Sequence, residues 1–252
     1  MQAEKFTVED LELFYKYASQ ELWEIEDIHI RALLQTHPND FFIFYENKVL
    51  IGYCVALKEN ETFGFISSVL VLKKFRLLGY GKKIFTFALE HLKGCQIALD
   101  SVLGQESFYK KFGFSSYFDV NTYKYITGSI VQPSNMIPTT DFDEELSLQG
   151  VSTYLKEILT TESVSYRAIK EDNTIKSFAF SFAYKDGYKL TINSEDVNHL
   201  LALLFALADN YPARTSLYMQ TTKLTPQHEA LTEALKMQKV STFTRMYNKI
   251  IA

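Results

Sequence analysis

The spacing of apolar residues changes period several times along the chain. From Thr7 to Leu34 they fall at mixed three- and four-residue intervals (Leu11, Phe14, Tyr15, Ala18, then Leu22, Ile25, Ile28), which predicts two short helices. Two β-rich runs follow, Phe41 to Tyr45 and Val49 to Leu57, separated by Glu46-Asn47-Lys48 as in a hairpin, with a third strand from Phe63 to Leu72. The helical period then returns. Between Gly79 and Leu92 it puts Ile84, Phe85, Ala88, Leu89 and Leu92 on one face, and Gly94 supplies a stop. A short strand Gln96 to Leu99, a helix from about Gln105 to Lys111 and a strand after Gly113 give the order α-α-β-β-β-α-β-α-β, a mixed α/β layer.

Residues 127–147 interrupt the pattern with Gly128, Pro133, Pro138 and the acidic run Asp141, Asp143, Glu144, Glu145, a composition suited to a connection between domains. The expected division is a domain over 1–127, a linker over 128–147 and a domain over 148–252. In the second half Phe178, Phe180, Phe182 and Tyr184 alternate with Ser and Ala, and Asp186-Gly187 predicts a two-residue hairpin turn into Tyr188 to Ile192. Ser194 is a candidate cap for a helix whose body is Leu200 to Ala208. A strand Ser216 to Gln220, a helix Pro226 to Met237 and a strand Val240 to Tyr247 close the chain, so the second half repeats the element order of the first.

Composition narrows the function classes. Of 252 residues 47% are hydrophobic and 22% charged, an ordinary globular balance, and the net charge of −4 lacks the positive excess that phosphate-backbone binding requires. Nucleic acid is therefore not an expected partner. Cys54 and Cys95 lie in apolar runs without metal-ligand spacing and read as buried thiols, and no metal site is expected. The longest apolar run, Leu200 to Ala208, is half a membrane span and the N-terminus opens no signal peptide, so a cytoplasmic protein without membrane partners is expected. Oligomeric state is not readable from the pattern.

The stretch that carries chemistry is Val69-Leu70-Val71-Leu72-Lys73-Lys74-Phe75-Arg76-Leu77-Leu78-Gly79-Tyr80-Gly81-Lys82, passing from a strand through a tight loop into a helix. A helix N-terminus offers unpaired N–H groups and about half a positive charge, and glycine lets the backbone approach a pyrophosphate closely. The spacing is neither a Walker loop nor a dinucleotide fingerprint. R-x-x-G-x-G, preceded five residues earlier by a strand Val and followed by an amphipathic helix, resembles motif A of the GNAT acetyltransferases. Leu99-Asp100-Ser101 and Phe108-Tyr109-Lys110-Lys111-Phe112-Gly113-Phe114 continue the resemblance, which covers about residues 41 to 114. The strand ending Thr244-Arg245-Met246-Tyr247 is similar to a subgroup with a second, degenerate GNAT-like domain.

The resemblance implies a fold of tandem GNAT-like domains, each a mostly antiparallel sheet flanked by helices, and an N-acetyltransferase that moves an acetyl group from acetyl-CoA to a primary amine of a small molecule or peptide. It implies that Val69, Leu70 and Val71 pair with the pantetheine arm and that the amides of Leu77, Leu78, Gly79, Tyr80, Gly81 and Lys82 hold the pyrophosphate, with Arg76 and Lys82 as cationic donors. Tyr109 matches the tyrosine that gives a proton to the departing thiolate; a phenol near 10 against a thiol near ~8.5 keeps that proton at neutral pH. Glu26, Asp27, His29, Ser67 and Ser68 are the candidates for helping the amine lose its proton.

Some positions depart from the family pattern: Lys73 replaces a usual Pro, Leu77 and Leu78 replace small or charged residues, and Asp100 and Ser101 stand near a missing asparagine. The second half has no R-x-x-G-x-G, and Asn193-Ser194-Glu195-Asp196 is acidic, so that half is expected not to bind CoA but to wall an acceptor cleft. The alternative is a non-catalytic CoA-binding sensor or interaction module.

Overall fold

The computed structural model describes residues 1–130, 132 and 134–248. Its elements are β1 (Gln2–Lys5), α1 (Leu11–Gln20), α2 (Asp27–Thr36), β2 (Phe41–Glu46), β3 (Val49–Lys58), β4 (Phe63–Val71), α3 (Tyr80–His91), β5 (Gln96–Val102), α4 (Glu106–Lys110) and β6 (Ser115–Ile126). They continue with α5 (Glu144–Ser147), α6 (Thr153–Leu159), β7 (Ser165–Glu171), β8 (Thr174–Tyr184), β9 (Gly187–Asn193), α7 (Val197–Ala208), β10 (Ser216–Thr222), α8 (Pro226–Ala234) and β11 (Gln238–Tyr247). Two compact units result. The first is Met1–Phe118 together with Phe243–Asn248, and the second is Asp119–Thr242. The division thus falls inside β6 and β11, whereas the sequence pattern had suggested a break at 127–147. Val131 and Pro133 of that suggested linker lie outside the described residues.

In the first unit the strand order is β1-β2-β3-β4-β5 followed by the last residues of β11. Neighbours are antiparallel except β4 and β5, which are parallel. Strand alternation sends successive side chains to opposite faces, and each face has its own core. Phe42, Phe44, Cys54, Ile66 and Leu99 pack with Ile84, Phe85 and Ala88 of α3 and with Leu92 just past its end. Phe41, Ile43, Tyr53 and Val55 pack with Leu11, Phe14, Ala18 and Leu34 of the first two helices. The sheet is therefore sandwiched, and of the predicted helical face Ile84, Phe85, Ala88 and Leu92 are buried while Leu89 is half-buried at its margin. At roughly 1.5–3 kcal/mol for each fully buried large side chain, these two cores are the main favourable term in this unit.

The segment Phe243–Asn248 is part of this unit. Phe243–Tyr247 runs antiparallel to Ala98–Val102, and the Asn248 side chain and backbone bond the N–H and C=O of Ile97 at 2.8 and 3.1 Å.

The second unit has the order β6-β10-β9-β8-β7, with β9 and β10 parallel and the remaining pairs antiparallel. Its core joins the apolar α7 to Ile169, Ala179, Leu190, Ile192, Leu217 and Met219 of the sheet and Leu231 of α8. Three local readings change here. The hairpin turn is Lys185-Asp186 instead of Asp186-Gly187, because Tyr184 pairs with Gly187. Lys185 takes the left-handed conformation, φ 52°, that such a turn demands. The cap of α7 is Asp196, whose carboxylate accepts the N–H groups of Asn198 and His199, while the Ser194 hydroxyl is engaged with Ser177. The third is β7, a strand that carries Lys and Arg among its apolar residues and gave no clean period. Among the described residues no helix is long and apolar enough to cross a membrane.

Candidate functional site

The site forms where the parallel pair β4 and β5 opens. Their register runs Phe63 to Gln96 through Ile66 to Leu99 and stops there. On the β3 side, Val55 faces Ser67 and Tyr53 faces Leu70, so Cys54 alone opposes Ser68 and Val69. This is a bulge, and Ser68 adopts φ 53° to make it. Gly52 and Leu70 lie unusually close, since a Cβ on Gly52 would sit 2.0 Å from the Leu70 carbonyl oxygen. Leu70 therefore directs its backbone groups at β3. By alternation, Val69 and Val71 direct theirs toward the side from which β5 has departed. Three residues assigned from the sequence, Val69, Leu70 and Val71, thus divide into one that holds the sheet and two that face the opening, the Val71 carbonyl being taken by Arg76.

The chain leaves this edge through a 3₁₀ turn, Lys73–Phe75, and re-enters helix at α3. Leu77 takes φ 63° and its side chain is fully exposed; Gly79 takes φ 84° at the N-cap. Nothing lies within 4 Å of where a Gly79 Cβ would stand, and no side chain caps this twelve-residue helix. The first amides of α3 are consequently free of a protein acceptor at the side-chain level, with the positive end of the helix dipole behind them. Gly81, Tyr80 and Lys82 occupy the first turn, with Lys82 exposed. Gly81 lets that turn rest against Val71 and Phe108, 3.8 and 3.9 Å from its would-be Cβ.

Arg76 is engaged differently from the sequence expectation. Its Nε donates to the Val71 carbonyl at 3.0 Å and its Nη2 meets Glu21 at 2.7 Å, while Lys73 donates to the Gln20 carbonyl at 3.2 Å. The guanidinium fastens the loop to the end of α1. Glu21 left no signal in the sequence, because an acidic residue past a helix end is usually just solvated.

Tyr109, on α4, is half-buried against Phe85, with ring centres 5.3 Å apart, in a cluster that also contains Phe108, Phe112 and Phe114. Burial, with a smaller contribution from the Cys54 thiol beside it, pushes the phenol up to about 12. Burial also raises the thiol of Cys54. Both groups stay protonated at neutral pH, and the phenol is an O–H donor. Sequence reasoning missed Cys54 as a neighbour of Tyr109, since the two lie 55 positions apart and meet only in the core beside α3.

The candidates for deprotonating an amine are distributed. Asp27 accepts from the Arg31 Nε at 2.9 Å and from the Tyr15 hydroxyl, which makes it a helix-face anchor. His29 and Glu26 form a pair at 3.3 Å, each about one-fifth exposed. Ser68 lies half-buried in the bulge and Ser67 half-buried beside it. Among the described residues no group of three or more His, Cys, Asp or Glu could hold a metal ion, and both cysteines are free thiols.

The corresponding place in the second unit is closed. β9 and β10 also separate, after Leu190 and Met219. There, however, Asp196 occupies the first amides of α7, and the buried His228 of α8 holds the Ser194 carbonyl at 3.1 Å. Those amides hold the Asp196 carboxyl below its ordinary value, so a negative charge stands where a phosphate would have to go.

Residues 5–114 match the model of the acetyltransferase (GNAT) family. Among solved structures, a Pyrococcus horikoshii protein taken to be an acetyltransferase superposes with a TM-score of 0.76 at 14% identity, over 98% of this chain and 88% of that one. A tandem GNAT protein from the clavulanic acid biosynthesis pathway gives 0.69 at 10% identity over 100% and 99%. A GCN5-related N-acetyltransferase from Anabaena variabilis gives 0.65 at 12% identity over 98% and 72%. These likenesses establish the fold, tandem and mixed α/β. No curated protein sequence matches.

Proposed function

We propose, for a chain whose residues 5–114 match the GNAT family model and whose length carries the tandem GNAT fold, that the first unit transfers an acetyl group from acetyl-CoA to a primary amine. The observation that carries this reading is the uncapped N-terminus of α3 lying directly after the open edge of β4. An uncapped helix end with a glycine N-cap suits a pyrophosphate, and an open strand edge suits an amide-containing arm, which would add as an extra strand. Val69 and Val71 would take the arm, and the amides of Leu77 to Lys82 the phosphates. Arg76 would act by holding their loop, with the exposed Lys82 in the first turn of α3 as the second cation.

Acetyl-CoA supplies a thioester, whose carbonyl the amine attacks and whose sulfur leaves as thiolate. Tyr109 is the chain's group for that sulfur. With its phenol near 12 and a thiol near ~8.5, complete proton transfer from Tyr109 is uphill by roughly 3.5 units, so its part is a hydrogen bond that strengthens as charge grows on sulfur. Keeping a lysine-like amine neutral at pH 7 costs about 4–5 kcal/mol, and Glu26 with His29 is the pair we favour for that task over the anchored Asp27. The second unit, with Asp196 and His228 occupying the equivalent place, binds no CoA on this reading.

Free-thiol release from acetyl-CoA, measured against small amines, amino acids and lysine peptides, tests the proposal. Turnover with one class, lost in Tyr109→Phe, supports it and names the acceptor. Acetyl-CoA binding with no turnover across the panel would favour a sensor, and no binding would overturn the reading.

A further inference from the structure

β4 and β5 form a fork whose arms part after Ile66 and Leu99. Backbone N–H and C=O groups along the parted arms favour re-pairing, because an unpaired strand edge is a ready template. The bulge at Ser68 displaces one arm. The other is held by a residue from the far end of the chain. Asp100, the first β5 residue beyond the fork, stands in register with Arg245 of β11. The guanidinium meets the carboxylate at two points, Nε to Oδ1 and Nη2 to Oδ2, the latter at 3.0 Å. It also lies 5.1 Å from the ring centre of Phe65 and 5.7 Å from that of Phe118.

Phe65 belongs to β4 just below the fork, opposite Ala98. One side chain therefore touches β4 below the fork, β5 above it, and β6. Phe65 packs with the α1 and α2 core, whereas Leu99 and Met246 pack with α3, so the contact lies on the face away from α3 and leaves that side clear. Arg245 is 23% exposed and Asp100 27%. A two-point planar contact, partly shielded and stacked on rings, fixes an angle as a lysine point charge cannot.

We propose that Arg245 is a positioning residue for the donor cleft: it sets the direction in which β5 leaves β4 and so keeps the Val69–Val71 edge open. This rests on the reading of the first unit as an acyl-CoA site. The role is supplied across 145 residues of sequence, from the last strand to the fifth.

The test compares the full-length protein with Arg245→Ala, Arg245→Lys and the exchanged pair Asp100→Arg with Arg245→Asp. Amide hydrogen exchange and acetyl-CoA affinity by calorimetry are measured on each. In Arg245→Ala, exchange should quicken tenfold or more at Asp100 to Val102 and stay unchanged in α3 and in β7 to β9, with acetyl-CoA affinity down tenfold or more. Lysine should recover part of both effects, and the exchanged pair more. Unchanged exchange in Arg245→Ala overturns the proposal, as does faster exchange with unaltered affinity. If the unmutated protein fails to bind acetyl-CoA, the functional reading falls and the positioning role falls with it. Faster exchange at Asp100 to Val102 would then mark Arg245 as a strand anchor alone. Should Arg245→Ala not fold, Arg245→Lys and Asp100→Asn are judged by the same two measurements.

Discussion

Replacing Gly79 by Asp separates the site from the fold. The added Cβ meets nothing within 4 Å, so there is no steric cost. The left-handed backbone, φ 84°, costs an L-residue about 1–2 kcal/mol, and Asp falls at the low end because it tolerates this conformation better than most. In a chain of this length that lowers the unfolding midpoint by roughly 2–4 °C. Binding should suffer far more. Coulomb's law at an effective dielectric constant of about 20 gives roughly 2–3 kcal/mol for each phosphate charge at about 6 Å, and salt screening reduces this to about 1–2. Two phosphate charges then amount to roughly 3 kcal/mol, about a hundredfold in affinity. Gly79→Ala carries a somewhat greater backbone strain without the charge and serves as the reference. Calorimetric titration with acetyl-CoA at two salt concentrations, beside thermal unfolding, measures both quantities. If Gly79→Asp binds within twofold of Gly79→Ala at low salt, no pyrophosphate sits at the α3 N-terminus and the assignment is wrong.

Further outcomes are expected elsewhere. Tyr109→Phe should cut turnover by roughly 10²-fold or more while leaving acetyl-CoA affinity within twofold; equal turnover in a steady-state thiol assay would remove the residue from the chemistry. Because the folded phenol titrates near 12 against about 10 in an unfolded chain, Tyr109 contributes stability that is fully present below pH 10 and lost as pH rises toward 12. Unfolding midpoints followed across that window should decline less steeply in Tyr109→Phe. Leu77→Gly should raise the unfolding free energy by about 0.5–1 kcal/mol, since it relieves a left-handed leucine whose side chain touches only solvent, less the entropy glycine adds to the unfolded chain; a drop in denaturant midpoint would contradict this. Asp196→Ala should lower the second unit's unfolding midpoint by roughly 2–4 °C without creating acetyl-CoA binding there, because the His228 contact to Ser194 remains. Two CoA molecules bound per chain would refute the closed state of that unit.

Much of this protein is determined locally. The α3 face Ile84, Phe85, Ala88, Leu92 follows from a 3.6-residue period, and the strands β2 to β5 from short β-rich runs bounded by turn residues, so each could be read without knowing its partners. Gly79 and the loop before it were legible because a strand followed by glycines and an amphipathic helix has few backbone solutions. What remained hidden depends on register or on distant segments. The bulge at Ser68 comes from how β3 and β4 pair, and no side-chain period encodes it. The edge strand β1, only four residues long, has too few positions to display alternation. The tie of Arg76 to Glu21 was hidden because the two lie 55 positions apart, and Asp196 displaced Ser194 as the cap by reaching two amides at once. The division into units inside β6 and β11, and the joining of Arg245 to Asp100, follow from strand pairing between residues far apart in sequence. Hydrogen bonding between strands is indifferent to sequence separation, and for that reason tertiary structure alone decided which end of the chain completes the first sheet.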